Sequence, residues 1–160
     1  MKKQYRVFAV LAVCLVTFAG WAALHGQGAG SPNAVLGATY LTTITNASTG
    51  AFSSRSLITL HTDHSFVAVD SSQGGPGVQF SSQLGNWAQS PSSTITARTL
   101  DFSFPNAGIA RVDYDITTVS ADTVSGTITL TFFPLNGDPL GGGGTPGGTF
   151  NFTSSRVTLP

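Results

Sequence analysis

At 160 residues the chain has room for one independent core, so a single domain is expected. Both lysines and Arg6 lie at the extreme N-terminus, and beyond them Arg55, Arg98, Arg111 and Arg156 stand against seven aspartates, with no lysine or glutamate, for a net charge of −3. Four scattered arginines do not supply the clustered cations that displace counterions from phosphates, which excludes a nucleic-acid partner.

In chain order, Lys2, Lys3 and Arg6 precede an apolar run over residues 7–23 that ends among small residues. That is the layout of a secretory signal. Residues 1–28 are read as signal peptide and linker and residues 29–160 as a single β-barrel domain, secreted or periplasmic. The apolar stretch 7–24 is also just long enough to cross a bilayer, so an uncleaved anchor is the alternative, and only then would a membrane be a partner. Cys14, the one cysteine, lies in this run. The mature domain is therefore expected to hold neither a disulfide nor a cysteine nucleophile.

Beyond a small-residue linker, β-branched and aromatic residues fall into short runs punctuated by Gly, Pro, Asn and Asp, and none carries an apolar stripe at helical spacing. The predicted strands are 38–46, 54–61, 65–71, 79–88, 93–104, 108–119, 123–133 and 148–158. Residues 123–132 are the clearest: Val124, Gly126, Ile128, Leu130 and Phe132 alternate with Thr and Ser, giving one buried face and one wet face. Connections such as Pro105-Asn106-Ala107-Gly108 and Ser120-Ala121-Asp122 are too short for parallel crossovers and favour an antiparallel meander. The expected fold is all-β, an antiparallel up-and-down eight-stranded β-barrel, because closing the sheet removes its edges. A two-sheet β-sandwich is the alternative that turn spacing leaves open.

Several short motifs carry a resemblance: Gly37-Ala38-Thr39-Tyr40 opening the first strand, Ser56-Leu57-Ile58-Thr59-Leu60 before a tight turn, Gly85-Asn86-Trp87 in a middle strand, Asp122-Thr123-Val124-Ser125-Gly126-Thr127, and a closing Arg156-Val157. Over most of the mature chain this order resembles small secreted bacterial lipocalin-like (calycin-type) barrels. In lipocalins proper a Gly-x-Trp opens the first strand and a late arginine packs across the tryptophan. Here the first strand carries Tyr40 and the Gly-x-Trp lies mid-chain, so the resemblance implies a closure by Trp87 or Tyr40 with Arg156. Allene-oxide-cyclase-like barrels share the strand count, but no motif selects them.

The densest polar cluster is His61, Asp63, His64 and Asp70. With Asp63-His64 as the two central residues of a hairpin turn, His61 faces Phe66, Leu60 faces Val67 and Ile58 faces Val69. Ile58, Leu60, Val67 and Val69 then share the apolar face, His61 points outward, and His64 occupies a turn position that tolerates positive φ. This reads as a hairpin rather than a metal site, since a structural zinc would lack its fourth ligand. A Ser-His-Asp hydrolase lacks its strand-turn-helix elbow. Arg111, Asp113 and Asp115 recur at every second residue and read as a solvated strand face with Tyr114 on the opposite side. Residues 141–148 lack the lysine and the helix of a phosphate loop and read as part of a flexible connection, long enough to cover one barrel mouth.

Apolar faces carry what remains. Arg98, Phe102 and Phe104 are read as sharing the inward side of their strand, and Tyr114, Phe132, Phe150, Phe152 and Trp87 as lining the interior of theirs. Fold analogy makes a small apolar or amphipathic ligand in the barrel the expected partner, with Arg98 and Arg156 placed to orient an acidic group on it. No catalytic residue, cofactor or metal is assigned, and the enzyme question leans to no. The alternatives are a cyclase- or isomerase-like barrel enzyme, which requires an ionisable group inside the cavity, and a structural envelope protein.

Overall fold

The computed structural model describes residues 35–76, 79–90, 94–118 and 120–160. The signal segment expected over 1–28 lies outside the described residues. Nine strands follow in order: β1 (Ala38–Asn46), β2 (Phe52–Leu60), β3 (Ser65–Asp70), β4 (Gln79–Phe80), β5 (Gln83–Gln89), β6 (Ile95–Phe104), β7 (Gly108–Thr118), β8 (Thr123–Pro134) and β9 (Thr145–Arg156). All eight expected runs are strands, though the run at 79–88 is broken at Ser81 and Ser82 into β4 and β5. β4 is a two-residue appendage on the end of β6.

The other eight strands form one closed antiparallel circuit, β1-β2-β3-β5-β6-β7-β8-β9, and β9 returns to pair with β1 from Tyr40↔Arg156 to Asn46↔Phe150. The all-β up-and-down barrel is thus the fold, and closure removes the sandwich alternative. Inward positions alternate as a pleated strand requires: Ala38, Tyr40, Thr42 and Ile44 in β1; Ser54, Ser56, Ile58 and Leu60 in β2; Ala110, Val112, Tyr114, Ile116 and Thr118 in β7. Tyr40, Ile58, Leu60, Phe66, Ile95 and Ile116 are wholly buried, joined by Val35 from just ahead of β1.

Two strands present the opposite face to the one expected. In the β2–β3 hairpin, Leu60 pairs with Phe66 and Ile58 with Ala68, one residue away from the anticipated register. The loop holds three residues rather than two: His61 N donates to Ser65 O at 3.0 Å, His64 N donates to His61 O, and His64 takes φ 70°. A type I turn followed by one left-handed residue is the common three-residue hairpin loop, and it absorbs the extra residue. Phe66, Ala68 and Asp70 consequently take the inward parity, while Val67 and Val69 turn outward. His61 is outward, and His64 has the positive φ expected of it.

In β6 the inward set is Ile95, Ala97, Thr99, Asp101 and Ser103. Arg98, Phe102 and Phe104 lie on the outer surface, with Phe102 53% and Phe104 49% exposed, which corrects their expected inward placement. Directly opposed residues share a face, and the ladder sets Arg98 opposite Asp113 and Phe102 opposite Ile109. Arg98 Nε donates to Asp113 Oδ1 at 2.6 Å on that outer face. Phe102 joins Leu41, Leu57, Val69 and Leu84 among the exposed apolar side chains of the outer surface, of which Leu41, Leu57 and Val69 are direct cross-strand neighbours.

The long β8–β9 connection does not cover a mouth. Arg111 Nη1 donates to the carbonyls of Pro139 and Gly141 at 3.0 and 2.9 Å, and its guanidinium lies 5.1 Å from the Phe133 ring centre. Its Nε is 3.1 Å from Asp113 Oδ2, close enough for ion pairing although not aligned as a hydrogen bond. The loop is thereby folded back over Thr131 and Phe133 on the outside of the sheet.

Inside, Gly126 lies where β8 is pinched between its neighbours, opposite Ile116 on β7 and Phe152 on β9. A Cβ there would sit 1.9 Å from Asp115 O and 2.9 Å from the Phe152 ring. Gly126→Ala is therefore expected to cost about 1–3 kcal/mol, as overpacked cores do, with the urea midpoint falling and the slope unchanged.

Candidate functional site

The barrel has one packed end and one open end. At the packed end, where β1 begins and β9 finishes, Tyr40 is wholly buried opposite Arg156 and sends its hydroxyl toward Ala121 O at 3.5 Å. Burial raises the Tyr40 phenol above its ordinary pKa, with Arg156 opposing and Asp122 adding to the rise. Of the two partners expected for Arg156, Tyr40 is the one facing it across the ladder. Trp87 does a different job. Its Nε1 donates to His61 O at 2.9 Å, its backbone N donates to His64 O at 2.9 Å, and its ring stacks on His64 with centroids 4.4 Å apart. The loop that carries His61, Asp63 and His64 is therefore a hairpin turn clamped onto β5. Asp63 is spent locally, its Oδ1 accepting from Ser65 N and Oγ at 2.9 and 2.7 Å.

At the other end the interior opens into a cavity of about 290 Å³. Its apolar wall comes from Ile44, Ala110, Val112, Ile128, Leu130, Phe132 and Phe150, and its polar side from Ser54, Asp70, Gln83, Asp101, Ser103 and Tyr114. Small inward residues on β2 and β6 leave this space, since Ser54 and Ser103 fill far less volume than the aromatics that also border it. Tyr114 closes the inner end. Its ring packs against Phe66 at 4.8 Å and edge-on to Phe152 at 6.2 Å.

Of the residues expected to line the interior, Tyr114, Phe132 and Phe150 border this cavity. Phe152 and Trp87 are buried in the core without bordering it, Arg156 belongs to the opposite end, and Arg98, Phe102 and Phe104 are outside. Among the described residues no arginine borders the cavity.

Sequence reasoning missed the polar side altogether. Gln83 Oε1 accepts hydrogen bonds from Tyr114 Oη and from Thr99 Oγ1, the latter at 3.2 Å. Asp70 Oδ2 accepts from Ser54 Oγ at 2.8 Å, and its Oδ1 from Ser72 N at 2.9 Å. Asp101 is only 5% exposed, and its Oδ1 has no hydrogen-bond partner. Burial raises its pKa from 3.8 to about 6. The Tyr114 phenol is held far above its usual range, first by burial and then by the charges of Asp70 and Asp101, so both carboxylates act on the same hydroxyl.

Among the described residues no group of three or more His, Cys, Asp or Glu is placed to hold a metal ion. No family model matches the chain, and the search of curated proteins and that of solved structures also give no match.

Asp101 ties stability to pH. Its carboxyl titrates near its ordinary value of about 3.9 when unfolded and near 6 when folded, so between these the native state binds more protons. The stabilising neutral form is fully present below the unfolded value and is lost as pH rises through the folded one. Thermal midpoints of the wild type should therefore show a decline between about pH 4 and pH 6 that Asp101→Asn lacks, with the variant melting higher at pH 7.

Proposed function

We propose that the chain is an exported lipocalin-like barrel that binds a small apolar or amphipathic molecule in its open end. The cavity carries this reading: a concave, mainly apolar space with a few convergent polar groups is the usual form of a small-molecule site. Its volume of about 290 Å³ falls at the lower edge of the range for such sites, which restricts the ligand to a small one. Tyr40 facing Arg156 supports the lipocalin-like reading, since an aromatic from the first strand and an arginine from the last meet at the packed end. Lys2, Lys3, Arg6 and the apolar stretch behind them support export to a secreted or periplasmic location.

A second reading has one specific observation in its favour. A cyclase- or isomerase-like enzyme needs an ionisable group inside the barrel, and Asp101, with a pKa near 6 and a cavity-facing position, is such a group. Chromatography and NMR of the small molecule released after prolonged incubation separate the two: a binding protein returns its ligand with unchanged structure, whereas an enzyme returns an isomer.

For the binding reading, a small environment-sensitive naphthalene fluorophore should bind the wild type with a blue-shifted, saturable signal. Leu130→Trp, which fills the cavity, should weaken it by at least about tenfold while the protein stays folded by circular dichroism, and Leu84→Ser on the outer face should leave it unchanged. Equal binding by the Leu130→Trp variant would place the fluorophore elsewhere and sink the reading.

A further inference from the structure

The polar side of the cavity is acidic, and among the described residues no cation borders it. The groups facing Asp101 are Tyr114 from β7, Gln83 from β5 and Asp70 from β3. The cavity-bordering residues of β1, β2, β4, β8 and β9 carry no charge, and no arginine or histidine reaches the space from any strand. Asp70 satisfies its oxygens with Ser54 and Ser72. Asp101 does not, for its Oδ1 is buried without a partner. A buried carboxylate oxygen left in this state is costly, and a donor from outside the chain would relieve it.

We propose that the cavity takes a small amphipathic amine, whose ammonium group donates to Asp101 beside the Tyr114 ring while its hydrocarbon part lies along Ile44, Leu130, Phe132 and Phe150. Ammonium is the fitting head group on three counts. It carries the missing positive charge, it is a donor without an acceptor and so meets no like group on the Asp101 oxygen, and charge-assisted hydrogen bonds of this kind are roughly twice as strong as neutral ones. The space also suits the size, since about 290 Å³ has room for only about ten groups as large as a water molecule. An acidic ligand, the class that inward arginines would have served, meets two carboxylates here instead. This inference rests on the reading of the barrel as a binding protein, and it supplies the ligand's chemical class.

Displacement of the naphthalene fluorophore by hexylamine, hexanol and hexanoate tests it. At pH 7.5 hexylamine should displace the fluorophore at a concentration at least about tenfold below that of hexanol, with hexanoate the weakest. Asp101→Asn should abolish the amine's advantage and leave hexanol unaffected. Should that variant fail to fold, the wild type alone decides: lowering the pH from 7.5 to 5 protonates Asp101 while an alkylamine, with a pKa near 10, stays charged, so the advantage of hexylamine should shrink and hexanol should not change. Equal displacement by the three compounds at pH 7.5, or an amine preference that survives both Asp101→Asn and acidification, overturns the amine inference while leaving the binding reading intact. Absence of any fluorophore binding counts against the binding reading itself, and with it the inference.

Discussion

The pairing of β9 with β1 is the constraint on which the rest of the molecule depends. Seven ladder positions join the last strand to the first, and once they form there is no free edge among the eight barrel strands and every strand acquires an inside. From then on parity decides which side of the wall a residue faces. The apolar residues of the packed end condense around Tyr40, Phe66, Ile95 and Ile116, while at the other end serines and threonines leave volume that the facing aromatics do not reclaim. One closure thus produces both a stable core and a space. The core is at the end where large side chains converge, and the space where they thin out.

Strand positions were legible because period-two alternation and turn residues are local signals, and β1 is read from the sequence with the same bounds as in the structure. Faces were less legible, because a face depends on how many residues a hairpin loop consumes. At β2–β3 the loop takes three residues where two were expected, and at β6–β7 four residues separate the last paired positions, Ser103 and Gly108. A change of one residue inverts a whole strand. In β6 the error was reinforced by size: Leu100, Phe102 and Phe104 make a more convincing interior than Thr99, Asp101 and Ser103 if strands are judged one at a time. The corrective signal was present, however. Asp113 was already read as outward, and its cross-strand neighbour must then be outward too, which fits Arg98 as its ion-pair partner.

Those two inversions have the same chemical result. Each turns an aspartate inward, Asp70 on β3 and Asp101 on β6, and the second also sends Arg98 to the surface. The polarity expected of the cavity is reversed, from inward arginines to inward carboxylates. The candidate site was thus illegible for a geometric reason rather than a chemical one: the relevant residues are all common types, and only register tells which of them share a room. Tyr114 was placed correctly because its strand alternates without ambiguity, and it is the residue on which both carboxylates act.

Arg111 has a consequence for kinetics. By fastening the β8–β9 loop to the outer wall through the carbonyls of Pro139 and Gly141, it keeps that long loop away from the mouth. Exchange of an occupant would not wait on movement of this loop, and residence time would be set by the contacts broken on leaving. The proposed binding role would then be that of a fast-equilibrating buffer, tracking the surrounding concentration instead of sequestering what it has captured.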